Sequence, residues 1–156
     1  MPLVQSIRQN GLRLADAFRW LPPFATRLTL GLVFVLAGWR HLANLESLTE
    51  YFKELGIPAA QFQATFSSAC ELLFGSLVLV GLFTRLSSLP LIVIMVVAIA
   101  TAKKAELTGS WLDQLDALSG MIELLYILLL LWLAVFGPGP LSLDRAITGG
   151  GGGKRR

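Results

Sequence analysis

Residues 60–83 of the chain read AQFQATFSSACELLFGSLVLVGLF and contain a single charged residue, Glu71, close to the middle of the run. A helix of this length extends about 36 Å at ~1.5 Å per residue, enough to cross a hydrocarbon core of ~30 Å. An ionised carboxylate at that depth costs at least about 2.5 kcal/mol unless it is protonated, paired or hydrated. The stretch therefore predicts a transmembrane helix in which Glu71 needs a partner or a polar cavity.

The composition of the whole chain is typical of an integral membrane protein. Of its 156 residues, 54% are hydrophobic and 15% are charged, whereas a soluble domain has about 25% charged residues. The net charge of +3 comes from basic residues that flank apolar segments, so they do not form the basic patch of a nucleic-acid-binding protein. We expect one all-α domain in the lipid bilayer, with no nucleic acid among its partners.

Three more apolar segments accompany the central one and predict an integral membrane four-helix bundle. The spans are expected at about 24–42, 60–83, 86–102 and 118–136. Together with their loops they make a transmembrane domain over 24–145. Arg27 and Arg40 lie near the ends of the first span, where we expect their long side chains to extend to the two membrane surfaces.

Amphipathic and flexible segments flank the predicted spans. Residues 1–23 are expected to form an N-terminal helix on the membrane surface, because apolar residues recur at helical spacing beside Arg8 and Arg13; packing on a partner subunit is the alternative. A second short amphipathic helix is expected within the loop 43–59. Residues 146–156 contain five consecutive glycines and end in Lys-Arg-Arg, which predicts a flexible basic tail.

Basic residues are distributed unevenly between the two sides of the predicted bundle. The side with the N-terminus, the 84–85 turn and the tail has nine Lys and Arg residues against two acids, and the other side has four against six. Since cytoplasmic segments of membrane proteins carry the excess of Lys and Arg, we expect both termini in the cytoplasm.

Depth and orientation together bring six polar residues to the outer half of the bundle. Glu71 lies at mid-depth, and five others lie at or near the outer ends of the spans: Arg40, His41, Lys103, Lys104 and Glu123. These groups either pair with one another or line a cavity. Arg40–Glu71 and Arg40–Glu123 are feasible pairs, and such pairs fix the register of the helices. A cavity would bind a small polar or quinone-like molecule or relay protons. His41 is either a solvated residue or the best proton-transfer candidate, because the unperturbed pKa of histidine lies near neutrality.

Small residues indicate where the helices pack closely. Gly31 and Gly38 are seven residues apart and share one face of the first span. On the second span Ser67, Glu71 and Gly75 are spaced by four, so the carboxylate lies on a small, polar stripe that faces other helices. One histidine and one cysteine are too few for a His-rich metal site, a bis-histidine haem or a dithiol couple. We therefore expect no metal and no intrinsic cofactor.

Five motifs resemble the DoxX family. They read RLTLGLVFVLAG at 27–38, YFKELGIP at 51–58, ELLFG at 71–75, GLFTRL at 81–86 and GPGPLSLD at 137–144. The resemblance covers about residues 27–145 and implies a four-helix protein of the bacterial inner membrane. Family members usually have a lysine near the position of Arg40 and His41. They are associated with thiosulfate:quinone oxidoreductase subunits, with complexes for oxidative-stress defence, and with metal- or peptide-handling proteins.

Three functions are compatible with these observations. The first is a subunit of an inner-membrane redox assembly that contributes to a quinone site, at most an oxidoreductase subunit whose electrons come from a partner or a substrate. The second is a non-catalytic membrane anchor for a multi-subunit complex. The third is a small transporter, which would have to oligomerise because four helices are few for alternating access. Other protein subunits or further copies of the chain are the expected partners.

A reporter fusion tests the predicted orientation. We expect alkaline phosphatase fused after Arg156 to be inactive, because nine of the 13 basic residues lie on the side of the tail and that side is expected in the cytoplasm. The same enzyme fused within the loop 105–117 should be active in the periplasm and is the matched control. The opposite pattern of activities would contradict the orientation.

Overall fold

The computed structural model describes residues 16–147, and within them the chain is all-α. The helices are α1 (Leu21–Ala43), α2 (Leu45–Glu54), α3 (Ala60–Val80), α4 (Thr84–Thr101), α5 (Trp111–Gly120), α6 (Ile122–Phe136) and α7 (Leu143–Ile147), with a 3-10 turn at Lys104–Glu106. Helices α1, α3 and α4 are long and apolar enough to cross a membrane, and α5 with α6 forms a fourth such segment that is bent by 69°. The predicted all-α membrane fold is confirmed.

Local backbone chemistry explains where α1 begins and where α3 ends. Helix α1 starts with Pro22 and Pro23 in its first turn, where a missing N–H and a fixed φ are tolerated. Helix α3 stops at Val80, three residues before the predicted end, because Gly81 adopts a left-handed conformation with φ 76°. The N–H of Leu82 then donates to the carbonyl of Leu77 at 2.9 Å, as in a glycine-terminated helix.

The predicted fourth span at 118–136 is not one continuous helix, and this expectation is corrected. Helix α5 ends at Gly120 and α6 begins at Ile122, while Met121 between them is extended, with ψ 122°. A capping box of Ser110 and Asp113 starts α5 within the expected loop 105–117. Helix α6 by itself has 15 residues, about 22 Å in length, and is shorter than a hydrocarbon core.

The predicted flanking segments have different outcomes. The short helix expected within 43–59 is α2, which packs on α3 and buries only Thr49. The N-terminal helix expected over 1–23 and the tail expected over 146–156 lie for the most part outside the described residues.

Close contact between the backbones of α1 and α3 depends on three glycines. A Cβ atom on Gly31 would lie 2.5 Å from the Cα of Leu79, and one on Gly38 would lie 2.5 Å from the backbone nitrogen of Leu72. A Cβ atom on Gly75 would meet α1 at 2.8 Å. The two helices run antiparallel, and their separation leaves no room for a side chain at these positions, as is common where small residues pack in membranes.

The core of the bundle is formed by α1, α3, α4 and α6. Helix α1 packs mainly on α3, and α4 packs mainly on α6 and also on α3. Six fully buried apolar side chains form the central cluster: Leu30, Phe34, Val78, Leu91, Leu130 and Leu133. Many of the remaining large apolar side chains on these helices are exposed in the protein, and a lipid bilayer would cover them.

Substituting one glycine tests the close packing. In Gly38→Ala the new methyl group would lie 2.5 Å from Leu72 N and 2.8 Å from Ser68 O, so α1 must move away from α3. We expect the free energy of unfolding to fall by about 1–3 kcal/mol, measured by denaturation in detergent with circular dichroism. Gly120→Ala is the matched control, because a Cβ atom there meets nothing within 4 Å. Equal stability of the two variants would contradict the packing argument.

Candidate functional site

Glu71 pairs with His41 inside the bundle. Its Oε2 atom lies 2.7 Å from Nδ1 of His41, and Glu71 is 5% exposed. Glu71 stands nine residues before the end of α3, or about 14 Å along the helix axis, so the carboxylate lies near mid-depth. The partner that a buried carboxylate requires is therefore an imidazole on the neighbouring helix.

The close approach of α1 and α3 explains why these two side chains meet. Gly38 packs between Ser68 and Leu72 of α3, and His41 follows Gly38 by one turn on the same face of α1. Helical side chains lean towards the N-terminus of their own helix. Because α1 and α3 are antiparallel, the side chains of His41 and Glu71 lean towards each other.

The imidazole of His41 is more open to its surroundings than the carboxylate is. The side chain of His41 is 41% exposed, against 7% for that of Glu71. Among residues 16–147, Nε2 of His41 has no hydrogen-bond partner. When Glu71 is ionised, its carboxylate can only accept, and Nδ1–H of His41 is the donor; Nε2 then accepts a proton in the neutral ring or donates one in the imidazolium. The pair is chemically able to exchange a proton at Nε2.

The other predicted site residues do not contact this pair. Arg40 is exposed and makes no ion pair within residues 16–147, so neither Arg40–Glu71 nor Arg40–Glu123 forms there. One residue is about 100° of helix rotation, so Arg40 points away from α3 when His41 points towards it. Lys103 pairs with Glu106 at 2.8 Å, and this hydrogen bond raises the pKa of Lys103. Glu123 is half-buried at the start of α6, within electrostatic range of Lys103.

The small polar residues beside Glu71 bond within α3. The hydroxyl of Ser68, which is fully buried, donates to the carbonyl of Ala64 at 2.7 Å. Ser67 is half-buried and donates to the same carbonyl at 3.2 Å. Cys70 is a half-buried free thiol. The two serines lie on the same side of α3 as Glu71 and are not hydrogen-bonded to the His41–Glu71 pair.

A second polar centre surrounds Arg27, whose side chain was expected to extend to the membrane surface. That expectation is corrected, since Arg27 is 4% exposed and donates to the carbonyl of Leu141 at 2.6 Å and to that of Pro138 at 3.5 Å. Its guanidinium also occupies the space that a side chain at Gly81 would need. A buried cation needs acceptors, and the carbonyls after α6 supply them.

Asp144 links the same segment to the start of α4. Its carboxylate accepts hydrogen bonds from the N–H groups of Phe83 at 2.7 Å and Thr84 at 3.2 Å. The N–H of Asp144 donates to the carbonyl of Gly81 at 2.9 Å. A carboxylate at a helix N-terminus satisfies free N–H groups and interacts favourably with the helix dipole. The segment after α6 is therefore fastened to the turn between α3 and α4.

Comparison with known proteins identifies relatives of this chain. The family model described as DoxX matches residues 23–104, which include both His41 and Glu71. The uncharacterised membrane protein Rv3486 of Mycobacterium tuberculosis is 37% identical over 131 residues, which cover 78% of each chain. No solved structure matches. The resemblance indicated by the sequence motifs is confirmed.

Glu71→Gln tests the contact between the two side chains. The chain has one histidine, so nitrogen NMR of histidine-labelled protein reports on His41 alone. We expect Nδ1 to carry the proton in the wild type and the tautomer balance to change in the variant, because the carboxylate acceptor is lost. We also expect the free energy of unfolding to fall by about 1–2 kcal/mol. Glu46→Gln, at an exposed acid on α2, is the control, and identical nitrogen shifts in both variants would contradict the pairing.

Proposed function

Because this chain belongs to the DoxX family of integral membrane proteins, we propose that it is a membrane subunit of a bacterial redox assembly. The His41–Glu71 pair would form part of its site for a quinone or a similar small polar molecule. One observation carries the proposal: a buried carboxylate holds a half-exposed imidazole at 2.7 Å within a membrane-spanning bundle. Ionisable residues inside membranes commonly mark binding sites or proton pathways.

The chemistry of the pair fits a quinone headgroup. A quinone carries two carbonyl oxygens that accept hydrogen bonds, and it supplies the redox chemistry when it is bound. Nε2–H of the His41 imidazolium would donate to one carbonyl oxygen and supply one of the two protons that a quinone takes up with two electrons from a partner protein; water would supply the second proton and reprotonate the ring. Glu71 would keep the ring oriented and stabilise its positive charge, the task that a carboxylate has beside a catalytic histidine.

The surface around α1 and α3 supports access from the membrane. Both helices expose large apolar side chains along their length, among them Leu32, Leu36, Phe62 and Phe66. A lipid-soluble molecule would reach these two helices through the bilayer, because lipid covers such apolar side chains.

We further propose that the protein lies in the bacterial inner membrane with both termini in the cytoplasm. Exposed arginines lie at the end of the bundle that carries Arg27, among them Arg19, Arg85 and Arg145, which is the distribution expected of a cytoplasmic side. The end of α1 that carries His41 would then face the periplasm.

A non-catalytic anchor is the second candidate function, and helix α5 favours it. This helix buries none of its residues and exposes Trp111, Leu112 and Leu115. Such a helix either lies in the membrane interface or packs on another subunit. An anchor would need the α5 surface and would not need the His41–Glu71 pair.

Quinone binding by site variants tests the proposal. We expect purified protein in lipid nanodiscs to bind a short-chain ubiquinone or menaquinone analogue. His41→Gln and Glu71→Gln should weaken binding by about tenfold or more, because a charge-assisted hydrogen bond is lost. Arg40→Gln changes an exposed neighbour and should bind like the wild type.

The same variants separate the two candidate functions. Unchanged quinone affinity in His41→Gln and Glu71→Gln would contradict a site at this pair. If, in addition, Trp111→Ser with Leu112→Ser released co-purifying proteins from native membranes, the anchor function would be supported instead.

A further inference from the structure

A cleft at the opposite end of α1 from His41 forms a second candidate site, which we call the arginine cleft. It has a volume of about 810 Å³ and lies between the start of α1 and the end of α6. Tryptophan and phenylalanine side chains form its apolar wall, and charged side chains form its rim. The residues that matter are Asp16, Arg19, Trp20, Trp132, Phe136 and Arg145.

Positive charge exceeds negative charge around the arginine cleft. Arg19 and Arg145 line it, and the guanidinium of Arg85 lies against Gly137, whose Cβ position would be 3.2 Å from Nε of Arg85. Asp16 lies 3.6 Å from Arg19. Asp144, whose carboxylate bonds to the N–H of Thr84 beside Arg85, is a second acid. Three arginines against two acids leave one positive charge. Within residues 16–147 the side chains of Arg85 and Arg145 make no hydrogen bond or ion pair. Both side chains are exposed.

The apolar wall distinguishes this cleft from a site for a small soluble anion. The ring centroids of Trp132 and Phe136 lie 6.0 Å apart on α6, and those of Trp20 and Phe24 lie 6.1 Å apart at the start of α1. Tryptophans are enriched at the level of lipid headgroups. The apolar wall extends away from the arginines along α6. A ligand with a charged head and an apolar tail would therefore contact the arginines with its head and the aromatic side chains with its tail.

We propose that the arginine cleft binds the phosphate headgroup of an anionic phospholipid. Guanidinium groups match the geometry of phosphate oxygens and bind them through charge-assisted hydrogen bonds. The acyl chains would pack against Trp132 and Phe136. The volume falls within the range of about 300–1,000 Å³ found for small-molecule sites. This inference goes beyond the proposed redox function, because it involves neither His41 nor Glu71.

Lipid retention measured by native mass spectrometry tests the inference. The full chain is exchanged into mixtures of phosphatidylglycerol and phosphatidylcholine with the same acyl chains, and the lipids that stay bound are counted. We expect phosphatidylglycerol to be retained in preference to phosphatidylcholine. Arg19→Gln and Arg145→Gln should each weaken its retention about fivefold, since each arginine near an anionic headgroup contributes about 1 kcal/mol.

Two controls distinguish a lipid site in the cleft from a general effect of lost positive charge or lost stability. Arg40→Gln removes an exposed arginine at the other end of α1 and should retain phosphatidylglycerol like the wild type. Arg19 and Arg145 are exposed, so the variants at these two positions should melt at the wild-type temperature. Equal retention of the two lipids, unchanged retention in Arg145→Gln, or displacement of phosphatidylglycerol by millimolar inorganic phosphate would each overturn the proposal.

Discussion

The hydrogen bond between Glu71 and His41 depends on how closely the backbones of α1 and α3 approach each other. A carboxylate that is 5% exposed within the membrane needs a donor, and the donor must come from another helix. Gly38 allows this, because its missing side chain lets α1 rest directly on the backbone of Ser68 and Leu72. In a bilayer, where lipid competes with apolar side chains, such close packing and interhelical polar contacts are what hold helices together.

Two polar centres lie at different depths of the bundle, and they differ in how far the surrounding protein encloses them. The guanidinium of Arg27 is enclosed, and its terminal nitrogens bond to backbone carbonyls after α6. Asp144, on the same segment, accepts from backbone N–H groups at the start of α4. Through these bonds the two charged groups connect the segment after α6 to α1 and to the start of α4. The His41–Glu71 pair is open on one side, since Nε2 of His41 is free of partners among the described residues. Because of this open side, the His41–Glu71 pair is a better candidate for binding and proton exchange than the enclosed Arg27.

Two glycines and one extended residue divide the bundle into its helices. Gly81 ends α3 with a positive φ, and the segment that starts at Gly137 turns back after α6 to supply acceptors for Arg27. At Met121 the backbone is extended and the helix axis bends by 69°. The outcome is three helices that are each long enough to cross a bilayer and a bent pair, α5 and α6, that reaches this length only together.

The sequence by itself determined the membrane class, three of the spans, the family and the fact that Glu71 must have a partner. Each of these depends on composition, on apolar runs, on motifs or on the cost of one buried charge, all of which are local properties. The glycine faces of α1 and α3 were also predicted from spacing alone. Only the tertiary structure decided that His41, and not Arg40, meets Glu71, that Arg27 is buried, and that the helix breaks at Met121. The first two depend on how each helix is rotated about its axis and on where the segment after α6 folds back. A shift of one residue turns a side chain by about 100°, and that rotation is set by contacts between residues far apart in the chain.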